Sequence, residues 1–289
     1  MLVEMRDICK DYPQGKDFVH ILKNINLEVA EGDYLAIMGP SGSGKTTLMN
    51  LIGCLDVPTS GEFLLNGEDL RNASFNHLAE VRNRLLGFVF QSFYLLPKLS
   101  AVDNVALPLL YRGVGKNERR ELAKDALRRM GLGNRLTFRP NQLSGGQCQR
   151  IAIARAIVGE PKLLLADEPT GALDTASGQQ IMDIFDELNQ AGTTIVMITH
   201  EQEIADRARK IAYIRDGILS DRPAVEPPRP KKEPITLTEE QLLHNLLSRN
   251  SLCNRLAGGI LKFLCIQPAI QDVFTFVNDC KAAEPAYHA

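Results

Sequence analysis

Residues 39–46 read GPSGSGKT, and their types and spacing suit the binding of phosphate. The apolar segment 34–38 precedes them and a helical segment follows from 47, which is the strand–loop–helix setting that gives the pattern G-x-x-x-x-G-K-[ST] its meaning. Glycines let backbone N–H groups approach phosphate oxygens because no Cβ is in the way. Lys45 can reach the β- and γ-phosphates, and the Thr46 hydroxyl can ligate Mg²⁺. The chain is therefore predicted to bind a nucleoside triphosphate.

Polar side chains also follow three other apolar segments that read as buried strands. Asp167 can hold Mg²⁺, and Glu168 can polarise an attacking water. Gln91 can contact Mg²⁺ or that water, and His200 can hydrogen-bond the γ-phosphate or the water. Because ligands gather at the carboxyl ends of parallel strands, we expect these four side chains to converge on the loop that contains Lys45.

A second stretch with the character of an anion site is Ser144-Gly145-Gly146-Gln147, which precedes a helical segment over 148–158. A serine hydroxyl, glycine N–H groups and a helix N-terminus are the elements of such a site. One phosphate loop normally needs no second glycine-rich anion site in its own chain. An isolated serine–glycine stretch of this kind is also a common helix-capping turn.

The composition is that of a soluble globular protein: 289 residues, 44% hydrophobic, 24% charged, with a net charge of −2. This charge gives no global basic field that would draw the chain to nucleic acid or anionic lipid. We find no apolar run near the roughly 20 residues that span a bilayer, and no signal peptide. The scattered cysteines are expected to be reduced, so the sequence predicts a cytosolic protein that meets a membrane only through a partner.

The elements predicted around these residues define an α/β fold. Short β-like runs within residues 1–33 suit an antiparallel sheet, and the later strands alternate with helices, which indicates a mostly parallel, helix-covered sheet. Residues 92–160 are predicted to be mainly helical. Tyr12 lies in an expected turn over 12–15, where it either stacks on an adenine ring or serves as a turn aromatic beside Pro13.

Two further segments have no assigned chemistry. An apolar cluster follows Gln91 and either packs in the core or forms a partly exposed groove for a partner. Residues 222–236 are a proline-rich linker by composition, and residues 237–289 are predicted to form a helical extension that docks on the rest of the chain or on a dimer partner. The members of the cluster are Phe93, Tyr94, Leu95, Leu96, Leu99 and Leu110.

Taken together, residues 1–221 resemble an ATP-binding cassette (ABC) ATPase. Residues 39–46 match the family's Walker A loop, Gln91 its Q-loop, 143–147 its LSGGQ signature and 163–168 its Walker B motif with the following glutamate. Residues 172–174 match its D-loop, His200 its switch histidine and Tyr12 its aromatic A-loop position. The sequence around these motifs resembles that of the bacterial macrolide-export and lipoprotein-release branch, the MacB and LolD type. Cys148 departs from the polar residue that relatives more often carry after the signature.

The resemblance implies a P-loop NTPase (RecA-like) core with an antiparallel β-subdomain and a helical subdomain at about 92–160. It also explains two anion sites, since paired cassettes in this family pack head to tail and enclose each ATP between one Walker A loop and the partner's signature. Catalysis would fall to Glu168, His200 and Gln91, and Mg²⁺ would be held by Thr46, Gln91 and Asp167. The nucleotide-binding residues that it implies are Tyr12, Gly39, Ser41, Gly42, Ser43, Gly44, Lys45, Thr46, Thr47, Ser144, Gly145, Gly146, Gln147 and Asp174, the last also passing information across the dimer.

The implied function is that of the ATP-hydrolysing subunit of an ABC transporter or efflux complex. Such a subunit forms a homodimer, or pairs with a related ATPase, and drives a separate membrane permease that docks near residues 91–112. It would lie in the cytoplasm, peripheral to the inner membrane, and would not bind nucleic acid. The alternative is an ABC ATPase that transmits force to a membrane protein without moving a solute.

Overall fold

The computed structural model describes residues 1–15 and 17–221. The predicted linker 222–236 and helical extension 237–289 lie outside the described residues. Within them, the helices in chain order are α1 (Lys45–Ile52), α2 (Phe75–Leu85), α3 (Ala101–Tyr111), α4 (Lys116–Arg129), α5 (Gly145–Ile157), α6 (Thr175–Gln190) and α7 (Gln202–Ala205). The strands are β1 (Val3–Gln14), β2 (Asp17–Val29), β3 (Tyr34–Met38), β4 (Ser60–Leu65), β5 (Glu68–Asp69), β6 (Leu86–Phe90), β7 (Leu163–Asp167), β8 (Thr194–Thr199), β9 (Lys210–Arg215) and β10 (Ile218–Ser220).

The first sheet is antiparallel, as predicted for the N-terminal segment, and has the order β2-β1-β4-β5. Its strands are longer than the sequence suggests. The expected turn at 12–15 is wrong for its first residues, because β1 continues to Gln14 and pairs Tyr12 with Val19. The register shifts between Met5 and Ile8 and again on both sides of Lys10, and these irregularities interrupt the alternation of apolar residues from which strands are recognised.

The second sheet has the order β10-β9-β3-β8-β7-β6, and its strands are parallel except for the edge strand β10. β3, β7 and β8 are almost completely buried, which accounts for their nearly continuous apolar sequences. The carboxyl ends of the strands are aligned, since Phe90 pairs with Asp167 and Met38 pairs with Thr199. This alignment brings the chain segments that follow β3, β6, β7 and β8 to one edge of the sheet.

Two hydrophobic clusters cover the faces of this parallel sheet. On one face, alternate residues such as Ile37 and Leu165 pack with α1 and with the antiparallel sheet. On the other face, residues such as Leu164 and Met197 pack with α3, α4, α5 and α6. The sheet is therefore a rigid platform, and its polar carboxyl edge is the place where side chains reach solvent.

Two helices in the region predicted to be helical begin at side-chain caps, whereas α4 begins after Gly115 without one. Ser100 accepts a hydrogen bond from the backbone N–H of Asp103 at the start of α3, and Ser144 accepts one from Gln147 at the start of α5. In the described part of the chain, no helix is both long and apolar enough to cross a membrane.

Candidate nucleotide site

The loop between β3 and α1 has a backbone that only glycine permits at several points. Gly42 and Gly44 have φ values of 78° and 106°, in the left-handed region. A Cβ on Gly39 would lie 2.2 Å from the carbonyl oxygen of Ile214, so no side chain fits there. The loop therefore exposes backbone N–H groups at the N-terminus of α1, where the helix dipole favours an anion.

Lys45 lies folded over this loop. Its Nζ donates hydrogen bonds to the carbonyl oxygens of Gly39 at 2.6 Å and Pro40 at 2.8 Å. Burial lowers the pKa of Lys45, and the charges of Glu168 and Asp167 act in the opposite direction. The Ser43 hydroxyl is buried and has no hydrogen-bond partner within residues 1–15 and 17–221. A cation and a buried hydroxyl at the N-terminus of a helix fit a phosphate ligand.

The carboxylates lie where β7 ends. Asp167 is the last residue of β7, and burial together with the charge of Glu168 raises its pKa, while Lys45 opposes the rise. Glu168 follows in the left-handed region with φ of 45°, and its backbone N–H donates to the carbonyl oxygen of Ile198. This turn aims the Glu168 carboxylate at His200, whose Nδ1 lies 2.7 Å from Oε1. The pairing joins the residues that follow β7 and β8.

These groups line one open groove of about 680 Å³ at the carboxyl edge of the sheet. The oxygen atoms of Thr46 and Asp167 are ligands of the kind that Mg²⁺ prefers. The raised pKa of Asp167 shows that its ionised form is unfavourable, and a bound cation would stabilise that form. The residues present therefore fit both a triphosphate and Mg²⁺. The lining residues are Ile21, Pro40, Ser41, Gly42, Gly44, Lys45, Thr46, Thr47, Asp167, Glu168 and His200.

Gln91 lies near this groove but is exposed and, among the described residues, is not part of its lining. A Cβ built on Gly171 would lie 2.7 Å from Gln91 Nε2 and 3.4 Å from Glu168 Oε2. The small backbone of Gly171 thus fills the space between the two side chains. The amide of Gln91 and the carboxylate of Glu168 are near neighbours, and the expected contact of Gln91 with Mg²⁺ or the attacking water stays a prediction.

Tyr12 stands beside the groove and is held by a charged pair. Its hydroxyl donates to Asp56 Oδ2 at 2.7 Å, and the Lys10 Nζ lies 4.8 Å from the ring centroid and 2.7 Å from Asp56 Oδ1. Partial burial and the bond to Asp56 raise the pKa of Tyr12 to about 12, and the groove residue Thr47 interacts with the same hydroxyl. Lys10 covers one face of the ring, so a base could stack only on the other face.

Comparison with known proteins identifies the family. The family model described as ABC transporter matches residues 22–171. The chain belongs to the ABC transporter family. This ABC cassette is 56% identical over 216 residues to the uncharacterized ABC transporter ATP-binding protein YknY of Bacillus subtilis, covering 75% of this chain and 94% of that one. It is 46% identical over 254 residues to the macrolide export ATP-binding/permease protein MacB of Syntrophobacter fumaroxidans, covering 87% of this chain but 36% of that longer protein.

A solved structure shows the same fold as the cassette. It is described as the dimeric structure of a post-hydrolysis state of the ATP-binding cassette MJ0796 bound to ADP and Pi. Its sequence is 42% identical to this one, the TM-score is 0.70, and the match covers 75% of this chain and 96% of the other. The prediction of a P-loop NTPase core within an ABC ATPase is confirmed.

The second group of predicted residues of this cassette lies at the starts of α5 and α6. Ser144 and Gln147 form a capping box, in which the Ser144 N–H donates to Gln147 Oε1 at 3.0 Å. A Cβ on Gly146 would lie 3.0 Å from Ser177 Oγ, and Asp174 caps α6 by accepting from the Ser177 N–H at 2.9 Å. Gly145 faces Leu173 in the same way. In the portion of the cassette that the structure describes, these residues are absent from the groove lining.

The sequence pattern did not single out several residues that the structure places at the site. Ile21 lines the groove, and Asp56 holds Tyr12. Gln149, a fully buried amide on α5, bonds to the backbone beside both Gln91 and Glu168. Gln149 is the polar residue among the otherwise apolar buried residues of α5, and the sequence did contain this signal.

Proposed function

We propose that this chain is the ATP-binding and ATP-hydrolysing subunit of an ABC transporter and drives a separate membrane permease through ATP-dependent dimerisation. The observation that carries the proposal is the convergence of Lys45, Asp167 and the Glu168–His200 pair on one groove. A binding module would need the loop and its lysine. A protein that also hydrolyses ATP needs a group to orient water, and the Glu168 carboxylate, held by the His200 imidazole at 2.7 Å next to that loop, can be this group.

The roles in hydrolysis follow from the positions of the side chains. The backbone of residues 39–46 and the Lys45 ammonium bind the triphosphate, and Glu168 accepts a hydrogen bond from the attacking water and orients it. His200 holds the carboxylate in place through its Nδ1. Mg²⁺ bound by Thr46 and Asp167, with Gln91 nearby, would neutralise charge on the phosphates.

The dimer is proposed because, within one chain, the phosphate loop at 39–46 and the second anion site at 144–147 do not share a groove. Ser144, Gly145 and Gly146 belong to the start of α5 and are not groove residues in the described part of the chain. A second copy, packed head to tail, would bring these groups against the triphosphate held by Lys45. A relative that is 42% identical is described as a dimeric structure bound to ADP and Pi, which supports this arrangement.

The surface proposed for the permease is the apolar cluster after Gln91. Tyr94 is 65% exposed, Leu96 48% and Leu110 46%, and a group of exposed apolar side chains is a candidate contact surface for a partner. The loop is nevertheless held firmly, because the Arg155 guanidinium donates to the carbonyl oxygens of Phe93 and Tyr94 at 2.8 and 2.6 Å. This exposed apolar surface lies directly after Gln91, so a partner bound to it could respond to the state of the nucleotide groove. The chain would then work at the cytoplasmic face of the membrane.

The catalytic and dimer parts of the proposal are tested with Glu168→Gln. This change keeps the shape of the side chain but removes its charge, so we expect MgATP hydrolysis to fall by about 10²–10⁴-fold while ATP still binds. The trapped nucleotide should yield a dimer in size-exclusion chromatography. Glu187→Gln, on the exposed side of α6, is the matched control and should hydrolyse ATP as the unaltered chain does. Normal turnover by Glu168→Gln, or an ATP-bound monomer, would contradict the proposal.

The permease part is tested separately. Leu96→Asp places a charge in the apolar cluster and should reduce recovery of the chain with the membrane fraction of its native cells, while MgATP hydrolysis by the purified chain stays unchanged. Ile218→Asp, at an exposed apolar residue of β10, is the control. If both variants are recovered with the membrane fraction equally, this surface is not the permease interface. A transport assay in vesicles would then distinguish solute transport from force transmission.

A further inference from the structure

Gln149 is a buried amide that bridges two loops. It lies in the first half of α5 with 0% of its surface exposed. Its Nε2 donates to the carbonyl oxygen of Pro169 at 2.6 Å and to that of Phe90 at 3.3 Å. One side chain therefore links α5 to the ends of the neighbouring strands β6 and β7.

The two acceptors are placed next to the residues of the proposed site. Phe90 immediately precedes Gln91, and Pro169 immediately follows Glu168. The Gly171 backbone between the side chains of Gln91 and Glu168 bonds back to the carbonyl oxygen of Glu168 at 3.1 Å. The amide thus ties α5 to the backbone next to both Gln91 and Glu168, in addition to the pairing of Phe90 with Asp167 between the two strands.

Packing by itself does not account for a glutamine here. Its Oε1 is buried and has no hydrogen-bond partner within the described residues, and an unsatisfied buried oxygen destabilises a fold. An apolar side chain of the same length would fill the space without that cost. What such a side chain cannot do is donate to both carbonyl oxygens.

We propose that Gln149 is a positioning residue for ATP hydrolysis, which sets the distance between Gln91 and Glu168 and ties both to α5. The inference rests on the proposed function, since it assigns catalysis to Glu168. Ser144, Gly145 and Gly146 lie at the start of the same helix. A displacement of α5 when a second copy's triphosphate meets that helix start would pass through the Gln149 amide to the chain's own Glu168. Gln149 thereby couples the two nucleotide sites of a dimer.

The test replaces the amide and separates kcat from KM. Gln149→Met keeps the length of the side chain and loses both hydrogen bonds, so we expect kcat of the full-length chain to fall about tenfold or more, because small misplacements of a catalytic group are costly. KM for ATP should change less than about twofold, because Gln149 does not reach the groove lining. Gln149→Asn, which keeps a neutral amide but shortens the side chain by one methylene so that it no longer reaches both carbonyl oxygens, is the second variant in case Gln149→Met does not fold.

The control is another buried amide at the opposite end of the strands. Asn189 donates to the carbonyl oxygens of Gly32 and Thr193, both at 3.0 Å, ahead of β3 and β8. Asn189→Leu should lower the Tm without changing kcat at a temperature where the variant is folded. If a folded Gln149 variant keeps the unaltered kcat, raises only KM, or loses no more kcat than Asn189→Leu, the inference is wrong. Such results would not contradict the proposed function, because the separate experiment with Glu168→Gln tests that function.

Discussion

Removing the Tyr12 ring tests whether the groove recognises a base as well as a phosphate chain. Tyr12 is 37% exposed, with Lys10 against one face of its ring and its hydroxyl bonded to Asp56. If adenine stacks on the free face, Tyr12→Ala removes that stack and leaves the loop around Lys45 intact. Tyr12→Phe removes the hydroxyl and keeps the ring.

The expected magnitudes differ for the two variants. Base–aromatic stacking contributes about 1–3 kcal/mol, so Tyr12→Ala should weaken ATP binding by about 5- to 150-fold. Tyr12→Phe should weaken it by less than about threefold, because Asp56 keeps its bonds from Lys10 Nζ at 2.7 Å and from the Val57 N–H at 2.8 Å. Since the pKa of Tyr12 is raised to about 12, the hydroxyl stays protonated throughout the neutral range and the effects should not vary with pH there.

The assay is isothermal titration of the full-length chain with ATP and, separately, with inorganic tripolyphosphate, which has no base. Tyr12→Ala should bind tripolyphosphate as the unaltered chain does, and only its affinity for ATP should fall. Phe75→Ala, at an aromatic side chain on α2 that is 84% exposed, is the matched control and should bind both ligands normally.

Equal losses for ATP and tripolyphosphate would show that Tyr12 supports the loop and does not contact a base. Unchanged ATP affinity in Tyr12→Ala would remove the ring from the site altogether. In either case the assignments of Lys45 and Glu168 would stand, since they concern the phosphates and the water.

Three further changes probe the phosphate end of the groove. Lys45→Ala removes charge-assisted hydrogen bonds of about 1.5–3 kcal/mol, so titration should show ATP and tripolyphosphate binding weakened together by about 10- to 150-fold, and unchanged affinities would exclude Lys45. Gly44→Ala forces a side chain into φ of 106° with its Cβ 2.9 Å from Leu22, so calorimetry should show a Tm lower by about 2–8 °C; an unchanged Tm would contradict this strain. Burial raises the pKa of Asp167 above its ordinary value of 3.8, so the folded state disfavours the ionised carboxyl and Asp167→Asn should raise the Tm of the nucleotide-free chain at neutral pH. That gain should shrink as the solution is acidified, because the group is protonated in both states below 3.8, and Mg²⁺-dependent hydrolysis should be lost; a lower Tm at neutral pH would refute the argument.

Local sequence was sufficient for the parts of the site that near neighbours specify. The glycines of residues 39–44 and the lysine that follows identify the phosphate loop, because backbone freedom and charge are properties of a short segment. The polar residues Gln91, Asp167 and His200 were recognisable because each ends an apolar run. Helices α3 and α4 lie in the region 92–160 that was predicted to be mainly helical, and α5 was anticipated at 148–158, three residues late at its start and one at its end.

Elements without such a local signal were missed. β1 was expected to end before Tyr12, because register shifts around Lys10 break the alternation that marks a strand. Helix α2 and strands β9 and β10 were not predicted, although Lys210–Arg215 has the alternating burial of a half-buried strand. These segments are held by the sheets they join, and tertiary packing outweighed weak local preference.

What the sequence by itself determined was the chemistry of single segments: a loop that fits phosphate, carboxylates that suit a cation, and a fold of alternating strands and helices. The tertiary structure decided which segments become neighbours. Strand order places β7 between β6 and β8, so that Glu168 meets His200, Gln149 reaches both flanking loops, and Ser144 stays away from the groove. The physical reason is that these contacts join residues far apart along the chain, and their distances depend on the register and burial of whole strands and not on the residues beside them.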